Sequence, residues 1–317
     1  MQRITRDKIT PVFDRRLAPV ATVRAGERFV VETEDSRGGL TRTPETTTPE
    51  YLIALRRRGY HGNPVTGPIF VEGAEPGDTL AVHIHAQECD TLGYMAYWPW
   101  LFNLQDLFPE PRTQLCQIQD GHVLFNDEIR IPVRPMIGTI GTAPALEAIL
   151  SGGMGRHGGN LDVEEVCPGS TVYLPVAVPG GLLCLGDCHA VQGDGEINEV
   201  EMRSVVTLSC DVIKGRPPEM TWPRIETPDL LVTVAVGAPL ETALNLAVRE
   251  MILWVEALTG LSRHEAYLLI GIAGHARPGQ VQVPLYSMRY LVPKRYLPAR
   301  RSETPSWRDA EVGDADR

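Results

Sequence analysis

The sequence predicts a mainly β fold, a β-sandwich-like core or distorted barrel with additional C-terminal helices, α+β in a mixed classification. Thirty glycines and 26 prolines break the chain into many short apolar runs of strand length. Helical periodicity stands out only after residue 239, which argues against an alternating βα array.

In chain order, residues 29–31 (Phe-Val-Val) and 79–85 (Thr-Leu-Ala-Val-His-Ile-His) read as strands. Residues 129–133, 171–178, 182–185, 204–209 and 230–236 do the same, each an apolar or alternating run bounded by turn formers. From 239 to 259, Leu240, Leu244, Ala247, Val248, Met251, Ile252, Val255 and Leu258 recur at helical spacing, and Gly260 is placed to end the run. Ser262 and Glu265 then form a capping-box pattern that starts a second helix through 270. No internal repeat or linker divides the chain, so residues 1–297 are expected as a single compact unit followed by a polar, mobile tail at 298–317.

A formal charge of −10 and the absence of a Lys/Arg stripe exclude nucleic acid as an expected partner. The short clusters Arg56-Arg57-Arg58 and Arg300-Arg301 read as solvated surface. With no leader-like start and no apolar stretch of membrane-spanning length, a soluble, cytoplasmic protein with no membrane partner is expected. The six cysteines lack paired spacing and mostly lie in apolar runs, where free Cys behaves as a small hydrophobe.

Chemistry concentrates in Gly186-Asp187-Cys188-His189-Ala190-Val191-Gln192-Gly193-Asp194-Gly195-Glu196. If the run 182–185 continues as a strand, Asp187 and His189 share a face, bringing together a carboxylate and an imidazole, a ligand mix suited to zinc and related metals. The glycine-rich Arg156-His157-Gly158-Gly159-Asn160-Leu161-Asp162 offers a third ligand, Asp162 being the first choice. A hydrogen-bonded structural pair or a turn-capping Asp explains Asp-x-His equally simply; two polar clusters flanking one apolar strand favour a site.

These two segments resemble the signature of the acetamidase/formamidase family. So do Gly67-Pro68-Ile69-Phe70-Val71-Glu72-Gly73-Ala74-Glu75-Pro76-Gly77-Asp78, Gly138-Thr139-Ile140-Gly141-Thr142-Ala143-Pro144 and Leu261-Ser262-Arg263-His264-Glu265-Ala266-Tyr267, all in order between about residues 60 and 297. The resemblance implies a β-sandwich-like core, homo-oligomers of dimers or their multiples, and hydrolysis of short aliphatic amides to carboxylate and ammonia. It also implies a divalent metal, zinc first, with calcium or another ion open. Asn160, Asp162, Asp187, His189, Gln192 and Glu196 fall on the family's polar motifs, and Glu201 sits where a further acidic residue follows. His83, His85 and His275 depart from the family pattern.

Chemical reasoning distributes the roles. Asp162, Asp187 and His189 are expected to hold the metal, and Glu196 or Glu201 to serve as general base. Asn160, Gln192, His157 and Gly159 are expected to hold the oxyanion or the substrate amide. Lysine-dependent amidase chemistries fit poorly, because Lys8, Lys214 and Lys294 all lie outside the polar clusters. Cys188 is an alternative nucleophile, although strand alternation points it to the opposite face. The aromatic run Tyr94-Met95-Ala96-Tyr97-Trp98-Pro99-Trp100-Leu101-Phe102 reads as core or interface packing; as a pocket wall it would imply a bulkier substrate. The competing readings are the same hydrolytic site acting on a lactam, ureide, carbamate or larger amide, and a noncatalytic binding module with a structural ion.

Overall fold

The computed structural model describes residues 1–57, 62–99, 104–215, 220–283 and 285–298. Arg58, Trp100, Leu101, Phe102 and residues 299–317, which include Arg300, Arg301 and nearly all of the expected tail, lie outside the described residues. Among the described residues the fold is mainly β. Nineteen strands join one branching network, and two more form a small separate sheet.

The backbone of this network is a pair of long antiparallel strands, Thr79–Tyr97 and Glu199–Ile213. Register shifts between Met202 and Ser204 and between Thr207 and Leu208 bend the pair, so one ribbon serves two parts of the sheet. Thr79–Tyr97 continues at one end with Thr171–Pro175 and at the other with Arg112–Gln119. Both long strands exceed the runs the sequence marks. Beyond His85, residues such as Gln87, Glu88 and Asp90 give no apolar alternation, yet their backbone still pairs with 204–207 and its surroundings. Residues 171–178 form a shorter strand than expected, ending at Pro175.

Leu183–Gln192 is buried at every residue. It pairs with Met136–Gly141, and with Val65–Val71 and then Glu199–Ile213 along its length. The main apolar core lies around it: Val31, Leu80, Val82, Ile137, Leu185 and Leu208 are buried in one cluster with Trp254 of the C-terminal helical layer.

Three α-helices are present among the described residues, besides short 3-10 turns at Pro44–Thr47 and Lys294–Tyr296. α1 (Pro49–Arg57) is a short helix of low overall hydrophobicity that the sequence reading does not anticipate; Pro49 at its start and Glu50 in its first turn suit a helix N-terminus. α2 (Leu240–Thr259) matches its expected span, and Gly260 ends it in a left-handed conformation with φ 71°. It packs on Leu230–Gly237 and Tyr286–Pro293, with the Thr233 hydroxyl donating to the Ala247 carbonyl at 2.7 Å. α3 (Arg263–Ala273) opens with the anticipated capping box: Glu265 N donates to Ser262 Oγ at 3.2 Å, and Ser262 N donates to Glu265 Oε2 at 2.8 Å. No helix among the described residues is long and apolar enough to cross a membrane.

Candidate metal and hydrolytic centre

Strand pairing assembles the centre. His189 lies directly across from Glu201, and Gln192 across from Glu199. On the other edge Thr139 faces Gly186 and also pairs with Asn160, which brings the 158–162 segment beside the 186–189 segment. Asp162 and Asp187 therefore each meet His189, in two ligand groups completed by Glu196 and Glu201, although Asp162 and His189 are 27 positions apart in the sequence. Gly138 permits the approach: a Cβ there would collide with Asp162 Oδ1 and lie 2.7 Å from the Asp187 carbonyl.

The local backbone is strained in a patterned way. Six non-glycine residues among the described ones have positive φ, and four are at this centre: Asn63 (49°), Asp162 (50°), Asp187 (54°) and Glu196 (49°). Such conformations cost on the order of 1–2 kcal/mol each. Concentrated here, they point to a function that needs those side chains in fixed directions. Asp187 thus sits in Leu183–Gln192 without regular strand geometry, although its carboxylate and the His189 imidazole still converge, with Asp187 Oδ1 and His189 Nε2 3.6 Å apart.

Each of these three side chains has one atom tied down and one bare. Asp187 Oδ2 accepts from Asn63 Nδ2 at 2.8 Å and has the Thr139 hydroxyl oxygen 3.1 Å away. Asp162 Oδ2 accepts from Asn160 Nδ2. His189 Nδ1 is 2.8 Å from Gln192 Oε1, and Gln192 Nε2 donates to the Asp162 carbonyl at 2.9 Å. That second bond fixes which way the Gln192 amide faces, so its oxygen must accept the Nδ1 proton and Nε2 is left to bind something else. Asp162 Oδ1, Asp187 Oδ1 and His189 Nε2 are buried with no hydrogen-bond partner. Two groups of ligand atoms share the histidine: Asp162, His189 and Glu196, and Asp187, His189 and Glu201, with atoms in each lying within 4.8 Å of one another.

Burial first, then mutual repulsion, raises the carboxylic acids of Asp162, Glu196, Glu199 and Glu201 above their usual range. Burial disfavours a charged His189, but the Glu201 and Asp187 carboxylates outweigh it and hold the imidazole pKa well above its ordinary value. A cluster with these properties attracts positive charge, whether as protons or as a cation. The partnerless oxygens and nitrogen fit a divalent metal, and the mixed carboxylate–imidazole set suits zinc.

A cavity of about 300 Å³ reaches the cluster. Asn160, Asp187, Glu196, Glu199 and Glu201 line it, together with Asn63, Ser36 and Gln282. Tyr94, Ala96 and Trp98, alternate residues of the aromatic run, form part of its wall, while Tyr97 packs at a tilt against Phe108, ring centroids 4.9 Å apart. Several anticipated residues lie elsewhere. Gln192 is behind His189, holding its ring. His157 is buried edge-on against Phe13 at 5.0 Å, and Gly159 packs its backbone against Gly153 and Met154. These three do not line the cavity, nor do Asp162 and His189, which meet the cavity-lining Glu196, Asp187 and Glu201. One Asn160 amide hydrogen is committed to Asp162, and Asn160 Oδ1 accepts from Asn63 and Thr139, both at 2.6 Å, so its amide positions the cluster.

The alternative nucleophile is poorly placed. Cys188 points into the apolar core, 3.5 Å from Thr33 Oγ1, and burial pushes its thiol up to about 12. His83 is paired with Asp211 and Thr171, and His85 with Ser209, away from the cluster; His275 is exposed. Asn63, Thr139 and Glu199 are site residues the sequence reading does not single out. Gly62-Asn63-Pro64 carries a turn signal and Thr139 interrupts an apolar strand, but only the pairing of distant strands gives either a target.

A further layer braces the centre. Arg289, fully buried, contacts Glu165 at 2.9 Å and Glu164 at 3.4 Å, and also Asp194. One guanidinium therefore ties the segment after Asp162 to the segment before Glu196.

The sequence model of the acetamidase/formamidase family matches residues 6–154 and 151–296. A formamidase of Methylophilus methylotrophus is 27% identical over 264 residues, covering 62% of this chain and 62% of that protein. The chain thus spans about three fifths of that relative's length. An acetamidase of Mycolicibacterium smegmatis is 26% identical over 279 residues, covering 66% and 68% of the two chains. The crystal structure of an acetamidase from Bacillus halodurans superposes with a TM-score of 0.86 at 35% identity, covering 93% of this chain and 98% of that one.

Proposed function

The chain belongs to the acetamidase/formamidase family, and on that premise we propose that it hydrolyses the C–N bond of small linear amides to a carboxylate and ammonia. Formamidase and acetamidase relatives support the reaction class. The observation that carries the site assignment is that Asp162 Oδ1, Asp187 Oδ1 and His189 Nε2 are buried without partners, and that His189 gathers with Asp162 and Glu196 on one side and with Asp187 and Glu201 on the other, next to a cavity that Asp187, Glu196 and Glu201 line. These residues would hold a divalent metal, zinc first by ligand chemistry. When bound there, the ion supplies Lewis acidity and a more acidic water at neutral pH.

The chain's own groups do the remaining work. Glu201 is anchored at one oxygen by the Ser36 amide at 3.2 Å and reaches the cavity, and Glu196 lines the same space. Either carboxylate can accept a proton from attacking water and return it to the departing nitrogen, which must leave as ammonia because the amide anion is too basic. Asn63, Thr139, Asn160 and Gln192 hold the ligand atoms in direction, so little reorganisation accompanies the reaction. The opening to the cavity favours catalysis over a closed structural ion site.

Exposed Tyr267, Leu268 and Ile272 on α3 support a homo-oligomer, a dimer or a multiple of dimers, which sedimentation at increasing concentration tests. The test of function is metal analysis of the purified protein combined with ammonia release from a panel of short amides. Asp187→Ala and His189→Ala are expected to lose metal and activity together, and Cys188→Ser to keep both. Full activity after metal removal, abolished by Cys188→Ser, would overturn the assignment.

A further inference from the structure

The cavity that reaches the acidic cluster also carries a buried cation, Arg37, with no counter-ion among the described residues, besides the exposed Arg56 at its rim over Trp98. Arg37 is 7% exposed and lines the cavity. Its Nη1 donates to two neutral hydroxyls, Thr113 Oγ1 at 2.9 Å and Thr41 Oγ1 at 3.2 Å. Among the described residues no carboxylate forms an ion pair with it. Buried arginines ordinarily have an anionic partner, because desolvating a guanidinium is costly. Here the remaining face of the group rests on aromatic rings, 4.6 Å from the Tyr94 centroid and 5.8 Å from that of Trp98.

Tyr94 connects this cation to the reacting centre. It pairs directly across from Glu201, and its hydroxyl is 2.8 Å from Ser36 Oγ, the residue whose amide holds Glu201. The cavity therefore has an acidic end and a cationic one, joined by an aromatic and aliphatic wall that includes Trp98 and Leu52. At about 300 Å³ it offers far more room than formamide or acetamide fills.

We propose that Arg37 is an anion subsite and that the substrates are amides bearing a carboxylate at the end away from the scissile bond, as in the monoamides of short dicarboxylic acids. This rests on amide hydrolysis at the acidic cluster and names the substrate class for that same site. Charge sets the orientation: the carboxylates repel the acid end of such a molecule and Arg37 receives it, which leaves the amide carbonyl beside Asp187 and Glu201. Planar, multi-donor arginine suits a carboxylate better than lysine would.

The test compares kcat/KM for succinic acid monoamide, its neutral methyl ester and acetamide, with the binding of succinic acid monoamide followed separately by calorimetry. The wild type is expected to prefer the acid over the ester by on the order of tenfold or more, the usual worth of a hydrogen bond to a charged group. Arg37→Met is expected to remove that preference, and Arg37→Lys to restore part of it in a protein that retains the buried charge. Equal rates for acid and ester in the wild type, or a preference that survives Arg37→Met, overturns the anion subsite and leaves amide hydrolysis standing. Arg37-dependent binding of succinic acid monoamide with no amide cleaved supports the subsite and overturns the hydrolytic reading.

Discussion

Replacing Gln192 with leucine isolates the contribution of one buried amide to the centre. Gln192 is 3% exposed; its oxygen accepts from His189 Nδ1 at 2.8 Å and its nitrogen donates to the Asp162 carbonyl at 2.9 Å. Leucine fills a similar volume but leaves an imidazole N–H and a carbonyl buried without partners. Each orphaned group costs about 1–3 kcal/mol, so the metal-free protein should lose about 2–6 kcal/mol of stability. The imidazole also loses the bond that selects its tautomer and ring angle, a change that ordinarily weakens metal binding by about 10–100-fold. Urea denaturation in the presence of chelator measures the first effect, and competition against a chromophoric chelator measures the second. Metal affinity equal to that of the wild type would refute the claim that Gln192 aims His189 Nε2 at the ion. Gln192→Glu is a useful companion: it keeps an acceptor for Nδ1 but sets a charge against the Asp162 carbonyl, so it should recover only part of the affinity.

Arg289→Met should destabilise the protein by about 1–3 kcal/mol, chiefly through Glu165, which loses its cation, while Glu164 keeps Arg134 at 3.2 Å and Asp194 keeps Arg277 at 3.7 Å. Metal affinity should fall with it, since the segments bearing Asp162 and Glu196 are no longer tied; denaturation and metal titration at neutral pH check both, and unchanged affinity would count against the brace. His157 provides a pH test. Burial lowers its pKa from 6.5 to about 4, so the unfolded chain binds more protons between these values. Its contribution to stability is therefore intact above pH 6.5 and is lost as pH falls towards 4, by about 3 kcal/mol in all. His157→Gln should flatten that part of the stability–pH profile relative to wild type; superimposable profiles would show that the buried neutral imidazole is not the cause.

Local patterns made much of this protein legible. Helix α2 follows from the spacing of Leu244, Met251 and Val255 with Gly260 at its end, and α3 follows from Ser262 and Glu265, because capping and periodicity act over a few residues. The strand leading into Asp187 and His189 is equally local. By contrast, α1 is only nine residues long and buries Leu52 alone, too short a run to stand out from its neighbours, and the polar half of Thr79–Tyr97 is held by hydrogen bonds to a strand more than a hundred residues away, which no local period records.

The same division runs through the centre. The sequence determined the polar residue types of the candidate centre and their two segments, since Asp-x-His on a buried strand and a glycine-rich Asn-x-Asp are visible one motif at a time. Only the tertiary structure decided which oxygen of each carboxylate is bare, that Gln192 serves His189, and that His157 packs on Phe13. It also brought Arg37 and Tyr94 into the cavity with Glu201. Those outcomes depend on strand register, which fixes neighbours between residues far apart in the chain, and on left-handed turns at Asn63, Asp162, Asp187 and Glu196 that redirect side chains away from regular strand alternation.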